Sequence, residues 1–128
     1  MTRDSPPGFL TPERSYKLSI VVAGNTTAPC LAALKKKRYE IFVSFWLDGK
    51  QSSPEDYAPT WVAVKDGRRF AGGCVEEVLG LISMWETRGD HWRASSAEFD
   101  DYWNMIDEAP VYREDENGNA ILITEERE

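Results

Sequence analysis

Asp66-Gly67 lies between two short apolar runs, Thr60 to Lys65 and Arg68 to Ala71. An Asp-Gly pair accepts positive φ at both central positions of a tight turn. That is the twist two antiparallel strands need to close on each other. The pair predicts a β-hairpin in the middle of the chain, and the other elements must pack around it.

Periodicity supplies those elements. Tyr16 to Val22 alternates, with Leu18, Ile20 and Val22 on one face, and reads as a strand. Gly24-Asn25-Thr26-Thr27 follows as a turn and helix cap. Pro29 falls in the first turn of a helix that runs to Lys37, with Leu31 and Leu34 facing inward. Tyr39 to Leu47 is the most apolar run. Ile41, Val43, Phe45 and Leu47 fill one face, and Phe42 and Trp46 lie on the other. This is the pattern of a central strand covered on both sides. Strand, short helix, strand predicts a right-handed crossover and a parallel pair. Asp48 to Pro59 reads as a polar loop.

Beyond Gly72-Gly73, Val75, Val78, Leu79, Ile82 and Trp85 recur at helical spacing. They predict a helix from Val75 to Arg88, capped by Gly89. Ser95 and Glu98 have the spacing of a capping box. They open a third helix with Phe99, Tyr102, Trp103 and Ile106 on its inner stripe, closed by Pro110. Val111 to Arg113 and Ala120 to Thr124 flank Asn117-Gly118 as a last hairpin. The expected fold is a single two-layer α+β domain over residues 16–124. A mixed sheet of about four strands (β-α-β, then a hairpin) packs with two to three helices, and a C-terminal hairpin follows. Residues 1–15, with Pro6, Pro7, Gly8 and Pro12, form a flexible arm, and residues 125–128 a frayed acidic tail.

A chain of 128 residues can bury a core without disulfides or metals. It has no apolar run of about 18 residues, so no membrane span is expected. Its N-terminus lacks the apolar core of a signal peptide, so a cytoplasmic protein is expected. Cys30 and Cys74 are then free thiols. One histidine, His91, and two separated cysteines do not make a four-ligand zinc site. Asp115, Asn117 and Asn119 share the opening spacing of a calcium loop. The glycine is misplaced, however, and no pair of helices is expected to flank them, so they read as a hairpin tip. Asp90 and His91 are adjacent, but neighbours in sequence point apart, and no nucleophile can be assigned beside them. No catalytic residue, metal or cofactor is expected.

The position of the charge says more than its sum of −7. Residues 98–128 hold eleven acids against two bases, a net of −9, and leave residues 1–97 at +2. An acidic chain is a poor fit for nucleic acid. A concentrated acidic segment steers a basic protein partner. In character this resembles toxin-neutralising immunity proteins and other small inhibitors, which are acidic, single-domain and without catalytic motifs. The leading expectation is a non-enzymatic protein-binding module for a basic partner. Trp92, Asp100, Asp101, Asp107, Glu108, Glu114 and Asp115 are its interface candidates. The aromatic surplus, which includes five tryptophans, also leaves room for a homo-oligomer.

A different class of function rests on the start of the first helix. Free N–H groups there attract anions, and Asn25, Thr26, Thr27 and Cys30 would line such a site. A thiol in a first helical turn can also become nucleophilic. The order of strand, Thr27-Ala28-Pro29-Cys30, helix, strand, Pro59, hairpin and Gly72-Gly73-Cys74 resembles a glutaredoxin over residues 16–88. The resemblance implies a thiol protein of thioredoxin-like architecture. Thr27 stands where that family has its nucleophilic cysteine, so only the resolving position, Cys30, is kept. The helix expected before the proline is also missing from residues 48–58.

Overall fold

The computed structural model describes residues 16–46 and 58–123, which fall into two compact units. One is Ile20–Trp92. The other comprises residues 93–123 together with 16–19. The N-terminal arm, most of the polar loop and the acidic tail expected from the sequence lie outside the described residues.

The first unit contains α1 (Thr27–Lys36), β1 (Glu40–Trp46), β2 (Ala58–Lys65), β3 (Arg68–Gly72) and α2 (Val75–Arg88). Its sheet has the order β1-β2-β3 with both pairs antiparallel. Asp66 and Gly67 adopt φ of 51° and 75°, and Lys65 pairs directly with Arg68. This is the two-residue hairpin that the Asp-Gly pair predicts.

The expected parallel crossover does not form. Residues 16–22 have no strand geometry, and Leu18, Ile20 and Val22 are exposed. Alternation alone does not make a strand; a neighbouring edge must accept its hydrogen bonds. β1 instead runs antiparallel to β2 and occupies an edge of the sheet. The sheet is therefore three-stranded and antiparallel, in place of the four-stranded mixed sheet expected. Edge position also explains why Phe42, Val43, Phe45 and Trp46 are exposed although the run reads as a central strand.

β2 begins earlier than the sequence indicates, and Pro59 pairs with Phe45 inside it. The tolerance has a simple reason. Hydrogen bonding alternates along a strand, and the two-residue turn directs Lys65, Ala63 and Trp61 toward β3. Pro59 falls on the same parity, but β3 ends opposite Trp61. The missing N–H thus faces no partner strand.

The core is concentrated under α2. Val75, Val78 and Ile82 from its stripe join Ala63 of β2, with Leu34 and Tyr39 from the α1–β1 segment. Cys30, Leu31, Ile41, Trp61, Phe70 and Leu79 pack around them. Tyr39 meets Phe70 edge-on at 6.1 Å, and Phe70 meets Trp85 at 5.7 Å, extending the core toward the end of α2. The outer face of the sheet carries Phe42, Val62 and Ala71 in cross-strand register.

The second unit contains α3 (Ser96–Glu108), β4 (Tyr112–Glu114) and β5 (Ala120–Leu122), the last two paired antiparallel. Ser95 and Glu98 form the expected capping box: the Ser95 hydroxyl accepts from the Glu98 amide, and the Glu98 carboxylate accepts from the Ser95 amide. The expectation that Trp103 and its stripe are core is not met, because no residue of α3 is buried. No helix among the described residues is long and apolar enough to cross a membrane.

Ile82 is fully buried, so Ile82→Ala should cost about 2–5 kcal/mol in urea unfolding through lost burial and the cavity left behind. The exposed Phe42→Ala should cost less than about 1 kcal/mol. Equal losses would contradict this assignment of the core.

Candidate functional site

The start of α1 places Thr26 and Thr27 beside α2, but neither hydroxyl caps its own helix. Both turn to Glu76 in the first turn of α2, at 2.7 Å and 3.0 Å from its Oε2. The Thr26 hydroxyl, the backbone N–H of Glu76, the Thr27 hydroxyl and the Cys74 thiol together hold the Glu76 carboxyl below its ordinary range, against partial desolvation. The carboxylate on these two hydroxyls therefore comes from within the chain. Asn25 is exposed in the preceding turn. Cys30 is partly buried, and its thiol is pushed up by desolvation first, then by the charges of Glu76 and Cys74. That is opposite to the activation a nucleophilic thiol requires. The strand that a glutaredoxin outline needs before this helix is also not formed.

A second constellation lies at the other end of α2. Gly89 takes φ of 81°, and its N–H closes on the Trp85 carbonyl, so the helix stops and the chain turns back. Asp90 then meets Arg68 of β3 in a two-pronged pair, Nε to Oδ1 at 2.8 Å and Nη2 to Oδ2 at 2.7 Å. The Trp85 indole N–H donates to the same Oδ1 at 2.7 Å, and the Arg68 guanidinium lies 5.0 Å from the Trp85 ring centre. The Arg68 hydrogen bond first, and the Trp85 indole next, hold the Asp90 carboxyl well below the carboxylate range. Arg88 Nε donates to the Trp92 carbonyl at 2.8 Å. These bonds pin residues 89–92 beside β3. A pocket of about 350 Å³ opens there, with Trp92, Leu81 and Met84 among its walls.

Trp92 is thus partly exposed, as the sequence indicates, and lines this pocket of the first unit. His91 is exposed, while the Asp90 carboxylate is engaged by Arg68 and Trp85. Nothing in the sequence marks the pairing of Arg68 with Asp90, because it joins a hairpin to a helix end across 22 residues. The Asp-Gly turn and the Gly89 stop were its indirect signals.

In the second unit α3 carries Asp100, Asp101, Asp107 and Glu108, all exposed. Helical geometry puts Asp100 and Asp107 on one line beside Trp103, and Asp101 and Glu108 on the next. Tyr102 and Trp103 touch edge-on at 5.1 Å. Glu114 is exposed in β4. Asp115 instead closes the hairpin tip, its Oδ1 accepting from the amides of Asn117 and Asn119 at 2.9 Å and 2.8 Å. No group of three or more His, Cys, Asp or Glu side chains able to hold a metal stands among the described residues. The chain matches no known family model, no curated protein and no solved structure.

A carboxyl depressed in the folded state stabilises it fully above its unfolded value, about 4. That contribution is lost as pH falls through the folded value. Asp90→Asn should therefore lose less stability than the parent between pH 6 and pH 2 in urea titrations. Parallel acid profiles would contradict the Arg68–Asp90 pairing. Alkylation of Cys30 in a Cys74→Ser chain should show an inflection above the ordinary thiol value of about 8.5. An inflection below it would point to an activated thiol.

Proposed function

We propose that the chain is a small non-enzymatic protein-binding module whose acidic C-terminal third engages a basic partner. The observation that carries this reading is the surface of α3. Phe99, Tyr102, Trp103 and Ile106 lie on one stripe of the helix, and each is about half exposed. A helix of 13 residues is marginal in water and normally gains its stability by covering such a stripe. Contact with a partner would remove that apolar surface from water, at about 1.5–3 kcal/mol for each fully covered large side chain.

The charge beside the stripe selects the partner. Asp100 and Asp107 run along its Trp103 side, and Asp101, Glu108 and Glu114 add to the same sign. No basic residue lies in the last turn of α3, so its negative dipole end reinforces the acids there. Aromatic anchors rimmed by like charges fit a surface of opposite charge with apolar hollows. This is the chemistry of an inhibitor or immunity-type contact.

Capture from the source cell provides the partner, and stopped-flow mixing measures its association. Reversing Asp100, Asp101, Asp107 and Glu108 to lysine together should slow association about tenfold or more at low salt. It should also flatten the salt dependence. An unchanged rate and salt slope would overturn the reading.

A further inference from the structure

We infer that the groove between β3 and α2 binds an extended peptide segment that alternates apolar and acidic residues, added as a fourth strand to the sheet. β3 is the edge strand opposite β1, so one side of its backbone meets no other described strand. The two-residue turn makes Lys65 and Arg68 a hydrogen-bonded pair. Alternation then turns Phe70 and Gly72 toward β2, and turns the amides and carbonyls of Arg69 and Ala71 to the open side. The pocket lies along these residues, with Arg68, Arg69, Phe70 and Ala71 all in its lining.

The opposite wall is apolar. Leu81, Met84 and Trp85 stand at helical spacing on α2, and Trp92 follows from the segment that Arg68 pins. Its volume of about 350 Å³ is in the range that holds a few side chains. A strand edge beside an apolar helix face satisfies both needs of an extended peptide, main-chain hydrogen bonds and pockets for alternate side chains.

Charge sets the pattern. The Asp90 carboxylate is neutralised by Arg68. Arg69 is exposed and makes no hydrogen bond or ion pair among the described residues. Its side chain leaves the sheet on the face opposite Phe70. A peptide residue placed opposite Arg69 shares that face and is acidic. The residues on either side of it turn to Leu81, Met84, Trp85 and Trp92 and are apolar. The site is built from residues of the first unit alone and does not depend on a basic partner at α3.

The test uses two blocked hexapeptides, one alternating valine and glutamate, the other valine and lysine. Each is titrated into the full chain, followed by tryptophan fluorescence and by amide exchange. The glutamate peptide should bind saturably, about fivefold tighter than the lysine peptide at low salt. It should also protect the amides of Arg69 and Ala71. Arg69→Glu should invert the preference, and Met84→Glu should weaken both peptides while leaving the circular dichroism unchanged. Equal affinities, no saturable binding, or protection falling on β1 would overturn the inference. So would self-association through β3 that the peptide does not displace.

Discussion

The seating of α2 on Ala63 is the constraint from which the first unit follows. Val75, Val78 and Ile82 are almost without exposure, and Ala63 is the one fully buried strand residue among those described. A small side chain at the centre of β2 lets the helix approach the sheet closely, so that three short aliphatic side chains close the space. Leu34 and Tyr39 then fill the flank and tie α1 and β1 to the same centre. The core is small, and the polar contacts at both ends of α2 carry weight for that reason. Glu76 locks its first turn to Thr26 and Thr27, and Asp90 locks its last turn to β3 through Arg68.

Local chemistry was legible where one residue type has one physical use. Asp66-Gly67 specified its turn, the Val75 to Trp85 stripe with Gly89 specified α2 from Val75 to Arg88, and Ser95 with Glu98 specified the start of α3. What failed was whatever depended on a neighbour. Tyr16 to Val22 has strand alternation without an edge to pair with. The run from Tyr39 reads as apolar on both faces, yet β1, Glu40–Trp46, lies at the edge of the sheet. Phe99 to Ile106 has a core stripe and no buried residue. Periodicity reports which faces are apolar, and only tertiary structure decides what covers them.

The same division runs through the candidate sites. Trp92 and the acids of α3 were marked by exposure and sign. Thr26 and Thr27 were marked as a helix start, but the carboxylate that occupies them comes from Glu76, 50 and 49 residues away. Asp90 and Asp115 count equally with every other acid in a sum of charges. In the structure one carboxylate serves an arginine and an indole, and the other serves two backbone amides. Acids that count alike in a sum of charges thus serve the hydrogen bonding of the fold itself in these two places.

The antiparallel meander also sets the order in which the first unit can form. Each strand pairs with the next strand in the chain, and α2 follows directly from β3. A parallel crossover would have required a helix to be placed before its two strands could meet. Here the hairpin at Asp66-Gly67 closes a short loop, and α2 can fold back on it at once. Nearby pairings of this kind demand little loop-closure entropy before they are rewarded. The first unit thus rests on pairings between strands that are neighbours in the sequence, the Asp66-Gly67 turn closing a loop of two residues between β2 and β3.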